Sequence, residues 1–202
     1  MKTVASMLIR LFIVLFSLGT LSTADELQYT VTQADQSEIR TVIITENTVE
    51  EKGKYTQKWQ LDADQYTTRW EYSNSTENSH LIVTKTGHTL SYTGTYRGKQ
   101  VSQEQTIKNH PWIQHCDVSL PQKSLVQTKT RFWYIRSRDL KPILFTLTNK
   151  STPKTPHYYQ IHISPWPSLL WKIEYWLDDT QQTIVQKRVS GSPILMMKLN
   201  EN

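Results

Sequence analysis

His115 and Cys116 stand side by side, a thiol next to a base, and that is the pairing from which a cysteine nucleophile is made. On extended chain, however, adjacent side chains point to opposite sides, and no third group is in sequence position to orient the base. Cys116 reads better as a small buried hydrophobe, with a hydrolase using Cys116 as the weakest of three functional readings. The six histidines fall at 80, 88, 110, 115, 157 and 162. His110 with His115, and His157 with His162, are five apart, a spacing that places strand side chains on opposite faces and speaks against a metal site. Asp178-Asp179 resembles paired carboxylates, yet it sits where a hairpin needs turn residues. The sequence contains neither a Gly-x-Ser-x-Gly elbow nor a glycine-rich phosphate loop. These residues predict a protein that is not an enzyme, with no cofactor and no metal.

Seven Trp and ten Tyr are the compositional excess. Trp59, Trp70, Tyr92, Trp133, Trp171 and Tyr175 fall on or beside strand positions expected to face inwards. There they would fill a core or line an apolar pocket for a lipid-like ligand. Trp112 and Trp166 are flanked by prolines in predicted loops. An exposed ring there would contact a partner, and a tucked one would plug the end of a barrel.

The elements that must position these rings alternate with period two. Leu27, Tyr29 and Val31 share one parity. So do Tyr55, Trp59 and Leu61, then Trp70 and Tyr72, then Leu90, Tyr92, Gly94 and Tyr96. Short turn signals such as Lys85-Thr86-Gly87-His88 and Arg97-Gly98-Lys99 separate them, so an antiparallel meander is predicted over about residues 27 to 107. Residues 109 to 129 break the pattern. Ser119 and Gln122 have capping-box spacing there for a short helix, which Pro121 restricts. Alternation returns at Phe132 to Ile135, at Ile143 to Leu147, at Tyr159 to Ile163, at Leu169 to Leu177, through Val185 to Val189 and, after the Ser190-Gly191-Ser192-Pro193 turn, at Ile194 to Leu199. Ten or so strands and little helix predict a mainly β (α+β) domain. An antiparallel sheet of that length must curl, into a half-barrel or incomplete barrel.

Met1 to Ala24 has the order of a signal peptide: Lys2 and Arg10, an apolar run from Leu11 to Leu18, and the small-residue exit Ser22-Thr23-Ala24. Cleavage after Ala24 leaves 25–202 as one domain in the periplasm or secreted space, with no stable membrane span. Cys116 is the only cysteine, so no internal disulfide can form. Loss of Lys2 and Arg10 lowers the formal charge from +5 to +3, with basic residues scattered singly, which argues against a nucleic-acid partner.

In its architecture of signal, long meander, irregular mid-chain insert and further strands, the chain resembles the periplasmic half-barrels of the LolA/LolB type and related bacterial envelope proteins. That resemblance implies acyl chains held against a concave face. The expected function is therefore an exported, non-catalytic binding protein with an apolar site for a lipid-like ligand or a hydrophobic segment. An envelope scaffolding or protein-interaction module is the alternative.

Overall fold

The computed structural model describes residues 24–33, 36–164, 171–179, 183–190 and 195–199. The predicted signal segment, up to residue 23, and Trp166 lie outside them. The protein is mainly β. Eight strands form the first half: β1 (Asp25–Gln33), β2 (Gln36–Ile44), β3 (Thr48–Lys52), β4 (Thr56–Leu61), β5 (Thr67–Asn74), β6 (Ser79–Thr86), β7 (Thr89–Tyr96) and β8 (Lys99–Thr106). Among the described residues a single short helix, α1 (Gln122–Leu125), follows them. Then come β9 (Lys129–Ile135), β10 (Pro142–Asn149), β11 (Tyr158–Ile163), β12 (Lys172–Leu177), β13 (Ile184–Ser190) and β14 (Leu195–Leu199).

Each half is an antiparallel meander, and the two are joined where the first strand meets the last. Tyr29 to Gln33 of β1 pair with Leu199 to Leu195 of β14, giving the order β8-β7-β6-β5-β4-β3-β2-β1-β14-β13-β12-β11-β10-β9. The fourteen strands among the described residues are more than the ten or so read from alternation. A sheet of that width curls under its own twist, and register shifts at Gln60/Leu61 and Trp176/Leu177 add local bends. The turns have the required chemistry. Between β7 and β8, Arg97 and Gly98 adopt φ of +49° and +74°, both positive as a two-residue hairpin turn demands.

The free edges of the sheet are β8 and β9, and the residues between them in sequence cross from one to the other. Ile107 N–H donates to His88 O, the Thr67 N–H to Trp112 O and the Ile113 N–H to Trp133 O, while Trp133 N–H donates to Pro111 O. Side chains finish the closure. Tyr96 hydroxyl donates to Ser137 O at 2.6 Å, and Gln105 Nε2 to Leu140 O at 3.2 Å. The barrel is thus incomplete in its ladder but bridged by its own insert.

The insert is the centre of the core. Ile107, Trp112, Ile113, Cys116, Val118, Leu120 and Leu125 are all buried, packed with Tyr29, Val42, Trp59, Leu81, Tyr92, Phe132, Tyr159 and Tyr175 from the concave face. Its helix lacks the predicted cap: Pro121 occupies the N-cap position, with no side-chain bond. Ser119 instead ends a turn, its N–H donating to His115 O.

Candidate functional site

The insert covers part of the concave face and leaves the rest open as two adjoining chambers. One, of about 700 Å³, has a mostly apolar wall that includes Ile143, Phe145, Ile163, Trp171, Ile173 and Val189. Aromatic stacking builds that wall. Phe145 lies 5.1 Å from Tyr134 and 5.5 Å from Trp171, with interplanar angles of 22° and 25°. The other chamber, of about 730 Å³, is polar and is lined by Ser37 near the start of β2, Glu77 of the β5–β6 turn and Arg97 of the β7–β8 turn. Val31, Arg40, Tyr55, Asp117 and Tyr134 line both.

The boundary is charged, and each charge there has a partner. Arg40 of β2 reaches across the concave face to four groups. Its Nη1 donates to Glu51 Oε1 at 2.7 Å and to Tyr55 hydroxyl at 2.6 Å, it pairs with Glu38, and its guanidinium stacks 4.9 Å from the Tyr55 ring centre. Glu51 accepts from Gln57 Nε2 at 3.0 Å, and Gln57 Oε1 accepts from Trp70 Nε1 at 2.9 Å. A polar row therefore crosses from β2 to β5. Glu51 is only 1% exposed, so these bonds are what makes its burial affordable. Burial disfavours the Arg40 cation, but Tyr55 and Glu51 outweigh that and hold it protonated, above its ordinary range.

The second ion pair belongs to the insert. Asp117 Oδ1 accepts from Lys187 Nζ of β13 at 2.6 Å, and Oδ2 accepts from the Tyr134 hydroxyl of β9 at 2.9 Å. Burial pushes the Asp117 carboxyl up; the Lys187 ammonium and these hydrogen bonds overcome it and hold the carboxyl below its usual range.

Cys116 and His115 fold away from both chambers. Burial first, and then Asp117, pushes the Cys116 thiol well above its ordinary value. His115 Nδ1 lies 3.0 Å from the Thr67 hydroxyl, and burial lowers its pKa to about 3. A neutral imidazole bonded to a threonine beside a protonated, sealed thiol is a packing arrangement rather than an activated nucleophile.

Of the six rings predicted to line a pocket, the structure brings Trp70 to the polar chamber and Trp171 to the apolar one. Trp59, Tyr92 and Tyr175 are core, with exposures of 1%, 1% and 0%. Trp133 requires a correction. Phe132 and Tyr134 carry the inward parity of β9, and the Trp133 indole turns the other way, donating from Nε1 to Lys108 O at 3.0 Å. Trp112 is also corrected as a partner-facing residue. It is fully buried, with its Nε1 donating to Gln114 Oε1 at 3.1 Å, because the insert folds inward to cover apolar sheet. Sequence reasoning missed Arg40, Glu51, Tyr55, Asp117, Tyr134 and Lys187. Alternation in β2 offered a faint signal, with Glu38, Arg40 and Val42 on one parity.

No family model matches the chain, and no curated protein matches it. Among the described residues no helix is long and apolar enough to cross a membrane.

Proposed function

We propose that this chain is an exported, periplasmic or secreted, non-catalytic binding protein whose apolar chamber receives the chain of a lipid-like ligand or an apolar protein segment. One observation carries the reading. The insert and the buried rings fill part of the concave face with the protein's own side chains, yet beside the Tyr134–Phe145–Trp171 stack about 700 Å³ stays open, next to the polar chamber. A cavity of that size, apolar on one side with a few convergent polar groups, suits a small amphiphile. The order of residues in Met1 to Ala24 supports export. The scaffolding alternative drew partly on Trp112, whose burial removes that argument for it.

Native mass spectrometry of the protein purified from its own compartment tests the proposal. A bound mass in the lipid range, released by a fluorescent fatty acid, is expected. A bare chain that takes up no fatty acid would overturn it.

A further inference from the structure

The polar chamber adjoins the apolar one, so if the apolar chamber takes a hydrocarbon chain, the polar chamber is where its head group lies. The composition of that chamber then selects the head. Its lining holds three cations, Arg40, Lys54 and Arg97, and three carboxylates, Glu38, Glu77 and Asp117. The half-buried cation, Arg40, is already engaged by Glu38, Glu51 and Tyr55. Arg97 pairs with Glu77 at 3.7 Å. Asp117 has Lys187 behind it. An anionic head would find only Lys54 without a carboxylate of its own, and would meet three carboxylates. A cationic head fares no better, since the carboxylates are spoken for and two of the aromatic faces are occupied. Arg40 lies over Tyr55 and Arg97 over Tyr96, at 4.9 and 5.4 Å.

What remains is chemistry for an uncharged, hydroxyl-rich group. Tyr72 is the hub of an aromatic cluster, 5.6 Å from Tyr55, 6.1 Å from Trp70 and 5.8 Å from Tyr96. Interleaved with these rings are Gln36, Ser37, Asn74 and Ser137. Hydroxyls both donate and accept, so they can bond to carboxylates, amides and guanidinium alike, while the C–H face of a pyranose packs on a ring. From this charge-balanced, tyrosine-rich lining we infer that the polar chamber is a subsite for a glycosyl head group, making the ligand a glycolipid-like amphiphile. The inference rests on the apolar chamber holding the chain.

Three amphiphiles with the same twelve-carbon chain separate the two claims: dodecyl maltoside, dodecanoate and dodecyltrimethylammonium, titrated calorimetrically below their micellar concentrations. The maltoside should bind about tenfold more tightly than either charged analogue, and Tyr72→Ala should bring all three to within about twofold of one another. Glu38→Gln, a change at a partly exposed side chain that leaves the core intact, should strengthen dodecanoate several-fold by unbalancing the chamber towards positive charge. Dodecanoate binding as tightly as the maltoside to the wild-type protein, or unmoved by Glu38→Gln, overturns the head-group assignment and leaves the chain-binding reading standing. If none of the three binds, both fall.

Discussion

Lys187 Nζ lies 2.6 Å from Asp117 Oδ1 although seventy residues separate them in sequence. That bond fastens the insert to β13, on the far side of the β1–β14 seam from β8, and with the Tyr134 bond to β9 it holds the insert across the concave face. Asp117 lines both chambers, so this anchored stretch of the insert forms part of the wall they share.

Lys187→Met removes the cation and leaves the Asp117 carboxylate with only the Tyr134 hydroxyl bond. Lys187 is buried, whereas the Asp117 side chain is 32% exposed, so the cost should be about 2–3 kcal/mol, below the ~3–5 kcal/mol of a fully enclosed pair. Urea unfolding of Lys187→Met, Asp117→Asn and the double variant measures it. The double variant should be less destabilised than the sum of the singles. The Asp117 carboxyl titrates below its unfolded value, so this stabilisation is whole above about pH 4 and is lost as pH falls through the folded pKa.

His115 makes a second acid-sensitive point. The unfolded chain takes up a proton near the ordinary 6.5, whereas the folded protein resists it to about 3. Unfolded chains therefore bind more protons across that window, and stability declines as pH falls through it, by on the order of 5 kcal/mol from this group alone. His115→Gln should flatten that part of the profile. Unfolding free energies of both proteins at pH 7 and pH 4 give the comparison.

Cys116 should be silent in the native protein. Its thiol is fully buried and its pKa is raised, so a water-soluble disulfide reagent should label it only at the rate of unfolding and at once in denaturant. Rapid labelling of the folded protein would restore the hydrolase reading.

Two glycines distinguish backbone freedom from close approach. Gly87 has φ of +58° and open space where a Cβ would stand, so Gly87→Ala should cost about 1 kcal/mol. Gly94 has φ of +122°, and a Cβ there would lie 2.1 Å from His80 O in the neighbouring strand. Gly94→Ala should cost about 3 kcal/mol or more, since β6 and β7 cannot then keep their spacing. Thermal unfolding of the two variants resolves the difference.

Much of the sheet can be read from the chain alone, because Tyr29, Trp59, Tyr92, Ile173 and Tyr175 obey the alternation and point where it says. The exceptions have physical causes. In β2 the inward parity carries Glu38 and Arg40 while Ile39 faces water at 64% exposure, so hydrophobicity and direction disagree. The insert lacks any period, and while the lone Cys116 reads as a buried residue, nothing local announces that Ile113 and Val118 would become core rather than loop. Asp117, Tyr134 and Lys187 each look ordinary alone. Only the meeting of β9, β13 and the insert makes them a site.

A fluorescent fatty acid titrated into wild-type protein and into Ile143→Trp tests most directly whether the apolar chamber accepts a hydrocarbon chain. Ile143 lines that chamber without being fully buried, so an indole there should occupy the ligand's space while the fold survives. Saturable binding at one site per wild-type chain, weakened about tenfold in the variant with an unchanged unfolding midpoint, is the predicted result. Equal, unsaturable fluorescence from both proteins would contradict it.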